Sequence, residues 1–125
     1  MTYTDDSDLP AITDDQLRAA LTEIRPYTIV ILKAGPKFEM PDADRGSEVA
    51  KLIWAHGKRN YALLTAGVMP IVCPVADGSG VIGVSIFDAD PAEVEKIMAG
   101  DPGVQAGVFI YDIHSTRSFP GSTLP

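Results

Sequence analysis

The sequence predicts an α+β domain in which a strand, a helix, two strands, a second helix and a final strand follow one another. Three observations carry this reading. Four runs rich in apolar or β-branched residues have strand length, at 28–33 (TIVILK), 68–75 (VMPIVCPV), 81–87 (VIGVSIF) and 104–113 (VQAGVFIYDI). The stretches 47–66 and 90–100, on either side of the middle two runs, have helical spacing or a helix-start signature. Between the middle two runs lies Ala76-Asp77-Gly78-Ser79-Gly80, a turn-rich segment that reads as a hairpin loop.

Taken in order, the chain begins with an acidic arm, where Asp5, Asp6, Asp8, Asp14 and Asp15 crowd together in a pattern expected of a solvated segment. Thr13 and Gln16 have capping-box spacing, and Leu17, Leu21 and Ile24 form a stripe, so an appended helix is expected from 13 to about 24, ended by Pro26. Residues 1–25 are therefore read as an arm, 26–114 as the folded domain and 115–125 as a tail, with Phe119 and Leu124 as its apolar anchors. After the first strand, residues 35–46 hold two prolines and two glycines without a sustained period, a long loop of the kind that often covers a site. In the first crossover helix Val49, Leu52, Ile53 and Leu63 share one face, and Gly67 supplies the stop. Pro70 and Pro74 place the second strand at a sheet edge, where a missing donor costs little. Asp90, Pro91 and Glu93 give the next helix an N-cap acid, a proline at its first position and a glutamate three residues after the cap.

Two crossovers in this order, with both helices on one face, give a four-stranded antiparallel sheet of ferredoxin-like plan, βαββαβ. The other face needs cover as well, because the first and last strands are apolar on both alternating sets, Ile29 and Ile31 against Val30 and Leu32, Val108 and Ile110 against Phe109 and Tyr111. A second copy of the chain is the simplest cover, giving a homodimer.

Composition excludes several classes. With 125 residues, 46% apolar and 22% charged, the chain is sized for one globular domain. No apolar run reaches the roughly 18 residues of a membrane span, and the N-terminus lacks the features of a secretory signal, so a cytoplasmic location is expected and a membrane partner is not. The lone Cys73 cannot form an internal disulfide. A net charge of −7 disfavours nucleic acid as a partner. Neither a Gly-x-Gly-x-x-Gly turn, a Walker-type lysine loop nor a Gly-x-Ser-x-Gly elbow is present, so no nucleotide cofactor or serine-hydrolase chemistry is expected. Asp112, His114 and Cys73 have no recognised metal-ligand spacing, and no metal is expected.

His56 with the glycine that ends its helix, Cys73-Pro74-Val75 ending the second strand, and the phrase Asp101-Pro102-Gly103-Val104-Gln105-Ala106-Gly107-Val108-Phe109 resemble the YCII-related proteins over roughly residues 26–113. Many members have Gly-Pro where this chain has Cys73-Pro74. The resemblance implies a dimeric α/β barrel of ferredoxin-like fold. It also implies a His-Asp acid/base pair, here His56 and Asp101, as in a member similar in fold and motif to a dehydrochlorinase acting on a chlorinated hydroxyhydroquinone.

From the residues themselves, His56 follows Leu52 and Ile53 by four and three positions, which puts it on the stripe facing the sheet. Such a histidine is either a buried imidazole satisfied by a neighbour or a titrating group in a site. Asp101, after Gly100 and before Pro102, either stabilises a turn or orients the imidazole, and a carboxylate on one ring nitrogen would fix the tautomer and raise the basicity of the other. At 1.5 Å per residue His56 lies about 13 Å from the start of its helix, so contact requires a late start or a tilt. Lys33, at the end of the first strand, is read as a substrate anchor in the same cleft or a solvent-facing lysine, and Cys73 and Pro74 as its wall, the thiol being inert or nucleophilic. The expected function is a cofactor-independent, lyase- or isomerase-like proton transfer on a small aromatic or enolisable molecule. The alternative is a non-catalytic small-molecule-binding or dimeric accessory domain.

Overall fold

The computed structural model describes residues 2–40 and 46–124, so residues 41–45 of the expected long loop lie outside it, as does the last residue of the tail. A 3-10 turn, Asp6–Asp8, and helix α1, Asp14–Leu21, precede β1, Arg25–Ala34. Then come α2, Glu48–Thr65; β2, Ile71–Pro74; β3, Val81–Phe87; α3, Pro91–Ala99; a short α4, Pro102–Gln105; and β4, Phe109–Ser118. The four strands form one antiparallel sheet in the order β2-β3-β1-β4, so β2 is an edge strand, as its prolines predict. β3 is inserted antiparallel between β1 and β2, which leaves those two parallel and joined by the α2 crossover.

Register assigns the faces. Thr28, Val30 and Leu32 of β1 stand opposite Phe87, Ser85 and Gly83 of β3, and opposite Ser115, Ile113 and Tyr111 of β4. This is the covered face: Val30, Leu32, Phe87 and Phe109 are buried with Val94 and Met98 of α3, and Val49, Leu52 and Ile53 of α2 pack against them. Fully burying such side chains contributes about 1.5–3 kcal/mol each. The alternate residues Ile29 and Ile31, opposite Ile86 and Val84, form the second face. Both are only partly buried, and neither belongs to the core that α2 and α3 cover.

The end signals act as the sequence implies. Thr13 Oγ1 accepts from Gln16 N at 3.1 Å while Gln16 Oε1 accepts from Thr13 N at 2.8 Å, a reciprocal capping box. At the end of α2, Gly67 takes a φ of +78°. Its N–H donates to Leu64 O at 3.0 Å and that of Val68 to Leu63 O at 3.1 Å. This Schellman turn uses up Val68 and Met69, which is why β2 begins at Ile71 and not at 68.

Other boundaries differ from expectation. The last strand starts at Phe109 instead of 104, because Asp101-Pro102 opens a further helical turn whose N-cap is Asp101. It also runs past 114: Ser115, Thr116, Arg117 and Ser118 pair with Thr28, Tyr27, Pro26 and Arg25. The first part of the expected tail is thus sheet. The appended helix stops at Leu21, three residues short of Ile24, where Thr22 caps it through Oγ1 to Ala19 O at 2.7 Å.

Candidate active site

His56 is the only buried residue of α2, facing the sheet from the stripe shared with Leu52 and Ile53. It is the ninth residue of a helix that begins at Glu48. Contact with Asp101 comes instead from α4, which packs alongside the middle of α2. Arg59 ties the end of α3 to α2 by donating from Nη2 to Ile97 O at 2.7 Å, a cationic side chain on a C-terminal carbonyl. The next residues then deliver Asp101 to the imidazole.

Asp101 is 1% exposed and its two oxygens are divided between two tasks. Oδ2 accepts from the backbone N–H of Gly103 at 2.9 Å and of Val104 at 3.1 Å, capping α4. Oδ1 lies 2.7 Å from His56 Nδ1, with Arg59 Nη1 at 4.0 Å. Burial by itself would raise the carboxyl's pKa; the His56 hydrogen bond and charge, the Val104 N–H and the Arg59 guanidinium outweigh it and hold Asp101 below the ordinary carboxylate range. An ionised carboxylate accepts only, so His56 Nδ1 carries a proton and, in the neutral ring, Nε2 holds the lone pair. Asn60 fits this tautomer, its Nδ2 donating to Nε2 at 3.0 Å from one turn along α2. The Phe109 ring packs on the imidazole with centroids 4.6 Å apart.

Beside this pair lies a cavity of about 340 Å³ between α2 and the sheet. Its walls are mostly apolar, including Val30, Leu32, Ile53, Met69, Ile82 and Phe109, and the residues with polar side chains that line it include His56, Asn60, Tyr61 and Ser85. Pro74 stands at its exposed side on β2, opposite Gly83 of the covered face; Cys73, also at the cavity margin, stands opposite Val84 and so has the parity of the other face. Lys33 does not join them. It projects from the opposite sheet face and its Nζ sits 2.8 Å from Asp112 Oδ2, a partner that holds Asp112 below the usual carboxylate range. The parity of β1 decides this, since Leu32 faces the cavity and its neighbour cannot. The loop after β1 contributes no described residue to the cavity wall. Phe38 instead packs against Phe109 from outside, with centroids 6.2 Å apart, and Lys37 N donates to Gly107 O at 3.0 Å.

Asn60, Arg59 and Ser85 were not singled out by the sequence reading. Asn60 had a signal, being four residues from His56 on one helix face. Among the described residues no cluster of His, Cys, Asp and Glu is arranged to hold a metal ion, and no helix is long and apolar enough to cross a membrane. Comparison with known proteins finds no matching family model and no curated protein that matches in sequence.

Proposed function

We propose that the chain is a cofactor-independent enzyme that moves a proton on a small, largely apolar molecule, with His56 as general base and Asp101 as its orienting partner. The observation that carries this reading is the 2.7 Å contact between His56 Nδ1 and a buried, ionised carboxylate beside a cavity. A carboxylate on Nδ1 orients the ring and fixes the tautomer in which Nε2 can take a proton. The substrate class follows from the walls: 340 Å³ suits a single-ring compound, and among the described residues no Lys, Arg, Asp or Glu lines the cavity to balance a charged one. An uncharged phenol or enolisable ketone presents one acidic proton to Nε2 and apolar surface to the rest. Asn60 must then yield its hydrogen bond to the incoming group.

The strand order β2-β3-β1-β4 supports a ferredoxin-like assignment, and with His56 and Asp101 in contact it supports kinship with the YCII-related proteins. In such a protein the second sheet face, with Ile29, Ile31, Val84 and Ile86, would pack on a second copy to close a dimeric barrel. Ile31→Glu puts a charge at its centre and is expected to convert a micromolar dimer to monomer in sedimentation equilibrium; a wild-type monomer removes the barrel. Asn60 also favours a second reading, a binding module, because its amide already satisfies Nε2.

A panel of uncharged single-ring phenols and enolisable ketones, read by thermal shift and, for the ketones, by solvent-deuterium exchange at the C–H next to the carbonyl, separates the two. Wild type is expected to bind a member of the panel and catalyse its exchange. His56→Gln keeps the thermal shift and loses about 100-fold or more of the exchange, the usual worth of a general base. Binding without exchange in wild type leaves the module.

A further inference from the structure

The outer face of α2 holds Trp54 and Tyr61, 74% and 70% exposed, on either side of Gly57, where a side chain would meet nothing within 4 Å. Lys51 and Lys58 flank this depression. Ile53, Gly57 and Tyr61 belong to its wall and to the wall of the His56 cavity, so the two are continuous across the glycine. An apolar patch at a cavity mouth, rimmed by cations in a chain of net charge −7, calls for an apolar and acidic occupant.

The chain carries such a segment. Helix α1 buries none of its residues, and Leu17 and Leu21 are 44% and 42% exposed. Leu9 and Ile12, just before it, are 49% and 63% exposed. Around them stand Asp5, Asp6, Asp8, Asp14 and Asp15, with Arg18 the sole basic residue before Arg25. Two exposed apolar surfaces of opposite charge on one chain are complementary between copies.

We propose that the N-terminal segment, residues 3–21, docks through Leu17 and Leu21 on the Trp54–Gly57–Tyr61 face of α2 in a second copy and covers the mouth of that copy's cavity. The contact is reciprocal, each copy lending its arm to the other. It uses the helix side of the domain and is separate from the sheet face proposed for the barrel, so either contact can fail without the other.

The test is disulfide trapping between full-length chains in a Cys73→Ser background. Leu17→Cys and Trp54→Cys chains, mixed under mild oxidation, are expected to give a cross-linked heterodimer joined through those two positions, identified by peptide mapping. Yield should fall several-fold when salt rises from about 50 to 500 mM, because screening shortens the reach of the acidic arm's attraction. Lys58→Glu in the Trp54→Cys chain should lower it likewise. Absence of the cross-link in the mixture, or a double variant that yields only an intrachain bridge, overturns the proposal. A cross-link insensitive to both salt and Lys58→Glu overturns its electrostatic part. Ile31→Glu added to both chains must leave the cross-link in place; if it abolishes the bridge, the contact depends on the sheet-face dimer and the proposal of a separate contact fails.

Discussion

Asp101→Asn is expected to destabilise the fold by about 1–3 kcal/mol, the cost of leaving a buried polar group against the wrong partner. Three donors converge on the carboxylate: His56 Nδ1–H and the N–H groups of Gly103 and Val104. An amide of the same shape replaces one acceptor oxygen by an NH2. Either the cap of α4 loses its acceptor or the imidazole meets a donor and must change tautomer, and both outcomes remove the lone pair at Nε2 or the helix that holds Asp101. The variant should also lose part of the acid sensitivity of the wild type. Because the folded pKa of Asp101 is depressed, its contribution is present above the unfolded carboxylate value near 3.9 and is lost as pH falls through the folded value. Urea unfolding at pH 7 and below pH 4 should therefore show the gap between wild type and variant narrowing in acid. An unchanged gap would place the source of the loss elsewhere.

A comparable effect is expected from Gly103→Ala. An added Cβ would sit 2.5 and 2.6 Å from Phe109 Cδ2 and Cε2 and 3.1 Å from Asp101 Oδ2. The Phe109 ring is held between His56 and Phe38 and has little room to retreat. Overpacking of this kind costs about 1–3 kcal/mol. Since the methyl pushes on both the carboxylate and the ring that packs on the imidazole, ligand-induced thermal shifts should weaken along with stability. Gly57→Ala is the contrast: its Cβ meets nothing within 4 Å, and alanine is the better helix former by up to about 1 kcal/mol, so α2 should tolerate or gain from it. Equal losses from the two substitutions in urea melts would refute the packing account.

How much was legible in the sequence follows from which forces were local. Caps, stops and periodicity are written in neighbouring residues, so Thr13 with Gln16, Gly67 and the start of β3 at Val81 were readable. The residue type and spacing of His56 likewise put it on the buried face of α2. The turn at Pro102 was also locally encoded, since Asp101-Pro102 repeats the signature of Asp90-Pro91, but the apolar run that follows favoured a strand. That single misreading hid why the pair meets, because α4 is the element that carries Asp101 to the middle of α2. Lys33 was misplaced for a different reason. Its proximity to the cleft was judged from the end of the strand, whereas the alternation of side chains decides the face. Ser85 required the helix and sheet to be set against each other, which no local pattern states.

The buried carboxylate of Asp101 fixes the imidazole of His56 so that, in the neutral ring, the lone pair lies at Nε2, the nitrogen opposite the one that binds Asp101. Long-range ¹H–¹⁵N correlation spectra of the histidine rings read this directly, with His56→Gln identifying which of the two histidines gives each signal. For the neutral ring of the wild type the expected result is a proton on Nδ1 and an acceptor nitrogen at Nε2, with that preference lost in Asp101→Asn. A neutral ring protonated at Nε2 in the wild type would contradict it, since no base would then be available to a molecule in the cavity.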